Sequence, residues 1–184
     1  MDTFDSKIIQ AVELILQAIG EDRKRPGLRD TPERVVRAWK EWTRGYQKFP
    51  REIKTFPTDY DGLIIRKGIP FFSFCEHHLA PYTGLLDFGY IPKGKVVGIS
   101  KIIRFFRHYC ARLSIQEDLT KDIIGKFEKI VEPKGSIIRM SANHTCESTR
   151  GVTQNGVPTI TFYSTGIFKK DPALVTEFFN NLNT

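Results

Sequence analysis

Hydrophobic residues near the N-terminus recur at the three- and four-residue spacing of an amphipathic helix. The series that starts at Ile8 stops at Gly20, which predicts a first helix ending there. A second helix is predicted to begin at Thr31 as its N-cap, with Pro32 in the first helical position, and to end at Gly45. The charged segment between the two helices is predicted to be a linker.

Beyond Thr55 the pattern changes to the short β-branched and aromatic runs that are typical of strands. Three strand candidates follow one another and read LIIRKGIPFF, YTGLLDFGYIP and KVVGI. The segment PKGK between the last two predicts a hairpin turn. Two further strand candidates read SIIRMSA and VPTITFYS.

Three more helices are predicted among these strands. One follows Ser100 as its N-cap, one extends from Ile115 to Val131, and the last follows Asp171 with Pro172 in its first position. Strands grouped in pairs around two central helices indicate an α+β fold with an antiparallel sheet. A chain of 184 residues is long enough for one well-buried core, so residues 51–184 are predicted to form one domain and residues 1–50 an N-terminal helical region.

Composition places the chain among ordinary globular proteins, with 40% hydrophobic and 27% charged residues. No apolar run approaches the roughly 20 residues of a membrane helix, and the first residues, MDTFDSKIIQ, do not read as a secretory signal. A cytoplasmic protein without a membrane partner is expected. The formal net charge of +7 favours an anionic partner, and nucleic acid, nucleotide phosphate and acidic lipid all fit that charge.

Cysteine and histidine cluster in two short segments. Cys75 and His78 are three positions apart in FCEHHLAPYTG, a spacing at which a turn brings a thiolate and an imidazole together and directs His77 elsewhere. An extended strand would pair Cys75 with His77 instead. In ANHTC, Cys146 follows His144 by two, so both lie on one side if the strand continues. Thiolate and imidazole ligands favour zinc over magnesium or calcium.

Cys110, the remaining cysteine, is the possible fourth ligand that would close such a site; without it one coordination position stays open. A lone cysteine is most often a core residue, and helix geometry places Cys110 on the apolar face of its helix. Three ligands then leave a fourth position for water, as in catalytic zinc sites. His77 and His144 become candidates for proton transfer, whereas His108 is predicted to be a surface residue.

Basic residues gather where phosphate could bind. Ser100, Lys101 and Arg104 stand at the predicted start of a helix, where backbone N–H groups and the helix dipole favour anions. Arg34 and Arg37 repeat the three-residue spacing on the second helix, although a solvated basic face is the better explanation for that pair taken alone.

Two further groups lie near the predicted metal ligands. Arg150 follows Cys146 closely and precedes Gly151, which relaxes the backbone there. Gln116 and Glu117 together offer an amide and a carboxylate able to recognise a purine edge, or Glu117 is an ordinary first-turn acid. An open zinc site beside several cations suggests hydrolysis of a phosphorylated substrate.

These motifs resemble those of the GTP cyclohydrolase I family. The matching segments are RPGLRDTPERVVRAW, CEHHLAPYTG, YIPKGKVVGISKIIR, IQEDLT, HTCESTRGV and GIFKKDPALVTEFF. The resemblance implies a tunnelling fold, in which sheets of many subunits form a barrel, and a homodecamer of two pentamers with sites between subunits. It also implies conversion of GTP to 7,8-dihydroneopterin triphosphate and formate, the first step of pterin and folate biosynthesis.

Residue by residue, the resemblance implies three sets of functional groups. The zinc ligands would be Cys75, His78 and Cys146, and the acid–base histidines His77 and His144. Gln116 and Glu117 would recognise guanine. The triphosphate would be held by Arg34, Arg37, Ser100, Lys101, Arg104 and Arg150.

Two departures from the family pattern lie close to these groups. Ser114 stands where a glutamine is usual, and Glu147 where a hydrophobic residue is usual.

One alternative to this activity is that of a tunnelling-fold relative that acts on a related purine or pteridine. A second is a zinc-stabilised nucleic-acid-binding module, favoured by the charge and by FFRHYCAR, but the aromatic residues there fall largely on the buried face.

Overall fold

The computed structural model describes residues 3–183, which divide into two compact units with the boundary between Arg44 and Gly45. The N-terminal unit contains helices α1 (Thr3–Ala18) and α2 (Thr31–Trp42), which pack through buried Leu16 and Val36. The cap prediction was wrong by one residue, because Asp30 is the N-cap of α2 and Thr31 is already helical.

The second unit contains a five-stranded sheet, a two-stranded sheet and four α-helices among the described residues. Its elements are β1 (Thr55–Pro57), β2 (Ile64–Cys75), β3 (Ala80–Ile91), β4 (Lys95–Val97), α3 (Ile99–Cys110), β5 (Leu113–Ser114), α4 (Gln116–Val131), β6 (Gly135–His144), α5 (Thr145–Ser148), β7 (Thr159–Ser164) and α6 (Pro172–Leu182). The predicted α+β fold is confirmed. None of the described helices is long and apolar enough to span a membrane.

The large sheet has the strand order β5-β2-β3-β6-β7, with antiparallel pairs except between β5 and β2. The predicted hairpin across PKGK is wrong, because β4 pairs with β1 and not with β3. The reason is that β3 is already paired on both sides: Tyr90 lies opposite Ile64 of β2 and opposite Ser136 of β6. No edge of β3 is left for β4.

The core lies between the large sheet and helices α3 and α4. Phe88 of β3 packs against Phe106 of α3 and Phe127 of α4, with ring centroids 4.6 and 4.7 Å apart. Cys110 is fully buried in the same core, which confirms that it is a core thiol. Two neighbouring predictions fail.

Ser100 is not the N-cap of α3, because the helix starts at Ile99 and its cap is Gly98. His108 is not a surface residue, because only 7% of it is exposed. Its Nε2 atom lies 2.9 Å from the backbone oxygen of Gln47, a partner 61 positions away that helix periodicity does not show.

Candidate active site

A cavity of about 310 Å³ lies where the β2–β3 turn, the first turn of α4 and the β6–α5 junction converge. Its lining includes the predicted metal ligands and both predicted acid–base histidines. Larger concave regions of about 640 and 630 Å³ occur elsewhere on this unit, and none of those ligands lines them. Chemistry rather than size therefore marks this cavity as the candidate active site.

Three soft ligands meet in this cavity. The ligand atoms of Cys75, His78 and Cys146 all lie within 4.8 Å of one another. The Cys75 Sγ atom is 3.7 Å from the Nδ1 atom of His78. A thiolate and an imidazole nitrogen bound to one tetrahedral zinc ion would be about 3.6 Å apart. The spacing of Cys75 and His78 therefore suits two ligands of one metal ion, and Cys146 is close enough to be the third.

The turn predicted after Cys75 is confirmed. Cys75 is the last residue of β2, residues 76–79 form the turn, and the Leu79 N–H donates to the Cys75 carbonyl at 2.9 Å. Leu79 takes a left-handed conformation with φ of 52°, which closes the turn. This reversal brings the imidazole of His78 back beside the thiol of Cys75.

The strand does not continue from His144 to Cys146, which was the condition for both side chains to lie on one side. Strand β6 ends at His144, and the short helix α5 carries Cys146. The Thr145 hydroxyl donates to the Pro81 carbonyl at 2.5 Å and so ties the start of α5 to β3. One helical turn, rather than strand alternation, therefore places Cys146 in the ligand group.

The second histidine of the pair lies nearer to Cys75 than predicted. The Nδ1 atom of His77 is also 3.7 Å from the Cys75 Sγ atom, so His77 is not directed away from this ligand. Among the described residues, however, His77 does not join the group formed with Cys146. Cys146 therefore distinguishes the two histidines, which leaves His77 beside the metal site as a candidate acid or base.

His144 is held on two sides at the end of β6. Its Nε2 atom lies 2.9 Å from Oε1 of Gln116, and its ring stacks on Tyr82 with centroids 4.3 Å apart and planes 14° from parallel. Burial lowers the pKa of His144, against the opposing charges of Glu117 and Glu147. Burial therefore favours the neutral imidazole, which is able to accept a proton.

Gln116 is only 1% exposed. Its amide nitrogen lies within 3.3 Å of the oxygens of Met140, Thr159 and Thr161. The polar atoms of this side chain are thus engaged within the chain, whereas the prediction had them reading a purine edge. Its neighbour Glu117 is exposed in the first turn of α4 and lines the cavity.

The cationic residues are not all brought together. The Nη1 atom of Arg150 lies 2.8 Å from Nε2 of His78, so Arg150 is adjacent to the ligand group. Ser100, Lys101 and Arg104 are on the first turns of α3, outside the cavity lining that the described residues form.

Arg34 and Arg37 belong to the other unit, exposed on α2, and Arg34 forms an ion pair with Asp30 at 3.1 Å. Their predicted contact with triphosphate stays a prediction.

Sequence reasoning missed Tyr82 entirely. Tyr82 of β3 and His144 of β6 are directly opposite each other in the sheet register, which is why their rings can stack. No local signal marks this pair, because it depends on which strands become neighbours.

A ligand group of two cysteines and a histidine, with a second, half-buried histidine beside it, is typical of metal-dependent hydrolytic enzymes. The GTP cyclohydrolase I family model matches residues 8–183 of the chain. The chain therefore belongs to the GTP cyclohydrolase I family, and the resemblance seen in its motifs is confirmed.

Two GTP cyclohydrolase 1 sequences agree with the family model. The chain is 42% identical over 183 residues to GTP cyclohydrolase 1 of Nitrosospira multiformis, which covers 97% of this chain and 96% of that protein. It is 42% identical over 172 residues to GTP cyclohydrolase 1 of Aquifex aeolicus, with 94% and 93% covered. Among solved structures, the apo form of the archaeosine synthase QueF-Like matches with a TM-score of 0.47 and 20% identity, covering 56% of this chain and 93% of that one.

Proposed function

We propose that this enzyme converts GTP to 7,8-dihydroneopterin triphosphate and formate, the first step of pterin and folate biosynthesis. The observation that most strongly supports this proposal is the ligand group of Cys75, His78 and Cys146, which lies beside His144. The family model matches the chain from residue 8 to residue 183. The overall change consumes water at C8 of the guanine and releases that carbon as formate.

Zinc is the metal that this ligand group fits best, because thiolates and imidazole are soft to borderline ligands and three of them lie within 4.8 Å of one another. Zinc at this position would supply a Lewis acid that lowers the pKa of a bound water toward neutrality. The group supports an open site, since it provides three ligands among the described residues.

His77 and His144 are the groups that would move protons. Opening the imidazole ring of guanine requires protonation of a ring nitrogen, and the later rearrangement of the ribose requires proton removal and return. Burial lowers the pKa of His144 and favours its neutral form, which suits the role of base. His77 lies next to Cys75 and suits proton transfer close to the metal.

Glu117 and the cations would hold the two ends of GTP. The exposed carboxylate of Glu117 at the cavity matches the N–H groups on the pyrimidine edge of guanine. Arg150 at His78 is placed to neutralise phosphate. The remaining candidates for the triphosphate are Ser100, Lys101, Arg104, Arg34 and Arg37. Holding both ends fixes the reacting ring over the metal site.

Assembly into a tunnelling-fold homodecamer of two pentamers would complete this site. Strands β5 and β7 are the two edges of the large sheet, and Ile160 and Phe162 of β7 are more than half exposed. Edges of this kind support pairing with further copies of the chain. In such an assembly, residues 51–184 act as the catalytic domain, residues 1–50 as a helical region, and a neighbouring subunit supplies the cations that lie outside the cavity.

The test is turnover of GTP by metal-replete protein. Formate and a pterin that fluoresces after oxidation should appear in equal amounts, and chelation of the metal should stop both. ATP offers a control with the same triphosphate but without the guanine edge. Absence of both products from GTP with metal bound would overturn the proposal, and release of formate without a pterin would indicate a relative with a different reaction.

A further inference from the structure

We propose that Gln116 is a positioning residue that fixes the tautomer of His144, so that Nδ1 of His144 is the nitrogen that exchanges protons with the substrate. The proposal rests on the proposed function. It changes the role of Gln116 from purine recognition to control of a neighbouring side chain.

The orientation of the Gln116 amide is determined by its surroundings. Its Nε2 atom lies 3.0 Å from the Thr159 carbonyl, 3.3 Å from the Met140 carbonyl and 3.1 Å from the Thr161 hydroxyl. Carbonyl oxygens only accept hydrogen bonds, so the group that faces them must be the NH₂. A flipped amide would set its oxygen against two carbonyl oxygens. The Oε1 atom of Gln116 therefore faces His144.

This orientation dictates which nitrogen of His144 carries hydrogen. The amide oxygen of Gln116 can only accept, so the Nε2 atom of His144, 2.9 Å away, must donate. A neutral imidazole has one N–H, and the lone pair is therefore on Nδ1. The carbonyl groups of β6 and β7 thus determine the tautomer of His144 indirectly, because they fix the orientation of the Gln116 amide.

The plane of the ring is fixed independently of its tautomer. Tyr82 stacks against His144, and the Tyr82 hydroxyl lies 2.8 Å from Oγ of Ser114. Ser114 lies 2.8 Å from Oγ of Ser73, which donates to the Arg112 carbonyl. With its face on Tyr82 and its edge on Gln116, His144 keeps one orientation, which is the arrangement that proton transfer requires.

A purely structural role for Gln116, tying α4 to β6 and β7, makes a different prediction. Substitution would then lower stability without a specific effect on the step that His144 performs. A residue that acts through His144 loses its effect on turnover once His144 is removed, because coupled residues are not additive. A double-mutant cycle therefore separates the two roles.

The first measurement uses the metal-replete enzyme and the variants Gln116→Met, His144→Ala and the double variant. We expect Gln116→Met to lower kcat about 100-fold and to change the KM for GTP less than about threefold, since a wrong tautomer impairs turnover rather than binding. In the His144→Ala background the same change should lower kcat less than about twofold. Gln17→Met, the same chemical change at an exposed position of α1, is the matched control and should behave as wild type.

The second measurement is the ¹⁵N spectrum of ¹⁵N-histidine-labelled wild-type protein, in which the chain's four histidines give separable ring signals and His144→Ala identifies one set. We expect His144 to show hydrogen on Nε2. This measurement needs neither turnover nor a folded Gln116 variant. It therefore tests the tautomer of His144 even if GTP is not the substrate or if Gln116→Met does not fold. Hydrogen on Nδ1 of His144 in the neutral state, equal losses of kcat in both backgrounds, or a raised KM with unchanged kcat would each overturn the proposal.

Discussion

The Nδ1 atoms of His77 and His78 are equally far, 3.7 Å, from the Sγ atom of Cys75. Proximity to Cys75 alone therefore does not choose a ligand between the two adjacent histidines. The choice falls to Cys146, which completes a group with His78 and, among the described residues, not with His77. The ligand set consequently depends on the fold that brings α5 to the β2–β3 turn.

Single substitutions should separate ligands from the acid–base histidine. Cys75→Ser, His78→Ala and Cys146→Ser should each lose bound zinc, because two remaining ligands do not hold the ion at neutral pH. His77→Ala should keep one zinc per chain, and its turnover rate should be about 100-fold lower. Metal analysis after gel filtration, together with the formate assay, measures both properties.

The control for the cysteine changes is Cys110→Ala. Cys110 is buried in the core and is not one of the three grouped ligands, so this variant should keep its zinc while losing about 1 kcal/mol of stability from the removed sulfur. Loss of zinc in His77→Ala would contradict the ligand assignment.

Arg150 should contribute to binding of the triphosphate. Arg150→Ala is expected to raise the KM for GTP about tenfold with unchanged zinc content, because a phosphate loses a charge-assisted hydrogen bond. Lys129→Ala, which removes an exposed cation from α4, should leave KM unchanged. If Arg150→Ala instead released zinc, the contact of Arg150 with His78 would be a support of the metal ligand and not a phosphate site.

The sequence predicted best those features that depend on neighbours along the chain. The cap of α6 is an example, since the Asp171 carboxylate accepts from the Ala173 N–H at 2.9 Å, two residues away. The turn after Cys75 and the core position of Cys110 were likewise read from local spacing. Each of these features is fixed within one turn of helix or one reversal of the chain.

What the sequence did not show depends on partners far along the chain. Strand β4 pairs with β1 because β2 and β6 occupy both sides of β3, and His108 is buried because a carbonyl 61 residues away receives its N–H. The environment of His144 is of the same kind, since Tyr82 and Gln116 reach it from other elements. Local patterns indicated the candidate reactive residues, but not the groups that orient them.

Glu117 should be required for recognition of guanine. Glu117→Ala is expected to lower kcat/KM for GTP at least 100-fold, because the N–H groups of the base would lose their charged acceptor. Asp118→Ala is the matched control: Asp118 is the next residue of α4, is also exposed and does not line the cavity. Steady-state turnover of GTP by both variants tests this prediction. Equal losses of kcat/KM would show that Glu117 acts through general negative charge at the start of α4 and not through a specific contact.

Two glycines should respond to alanine in opposite directions. Gly125 lies inside helix α4, and a Cβ atom built there meets nothing within 4 Å. Gly125→Ala should therefore raise the free energy of unfolding by about 1 kcal/mol through helix propensity. A Cβ atom built at Gly89 of β3 would lie 2.9 Å from a ring carbon of Phe178 and 3.1 Å from a methyl of Ile137, so Gly89→Ala should lower the free energy of unfolding by about 1–3 kcal/mol. Urea unfolding of both variants measures these changes, and destabilisation by Gly125→Ala would show that the exposed side of α4 packs against something in the assembled protein.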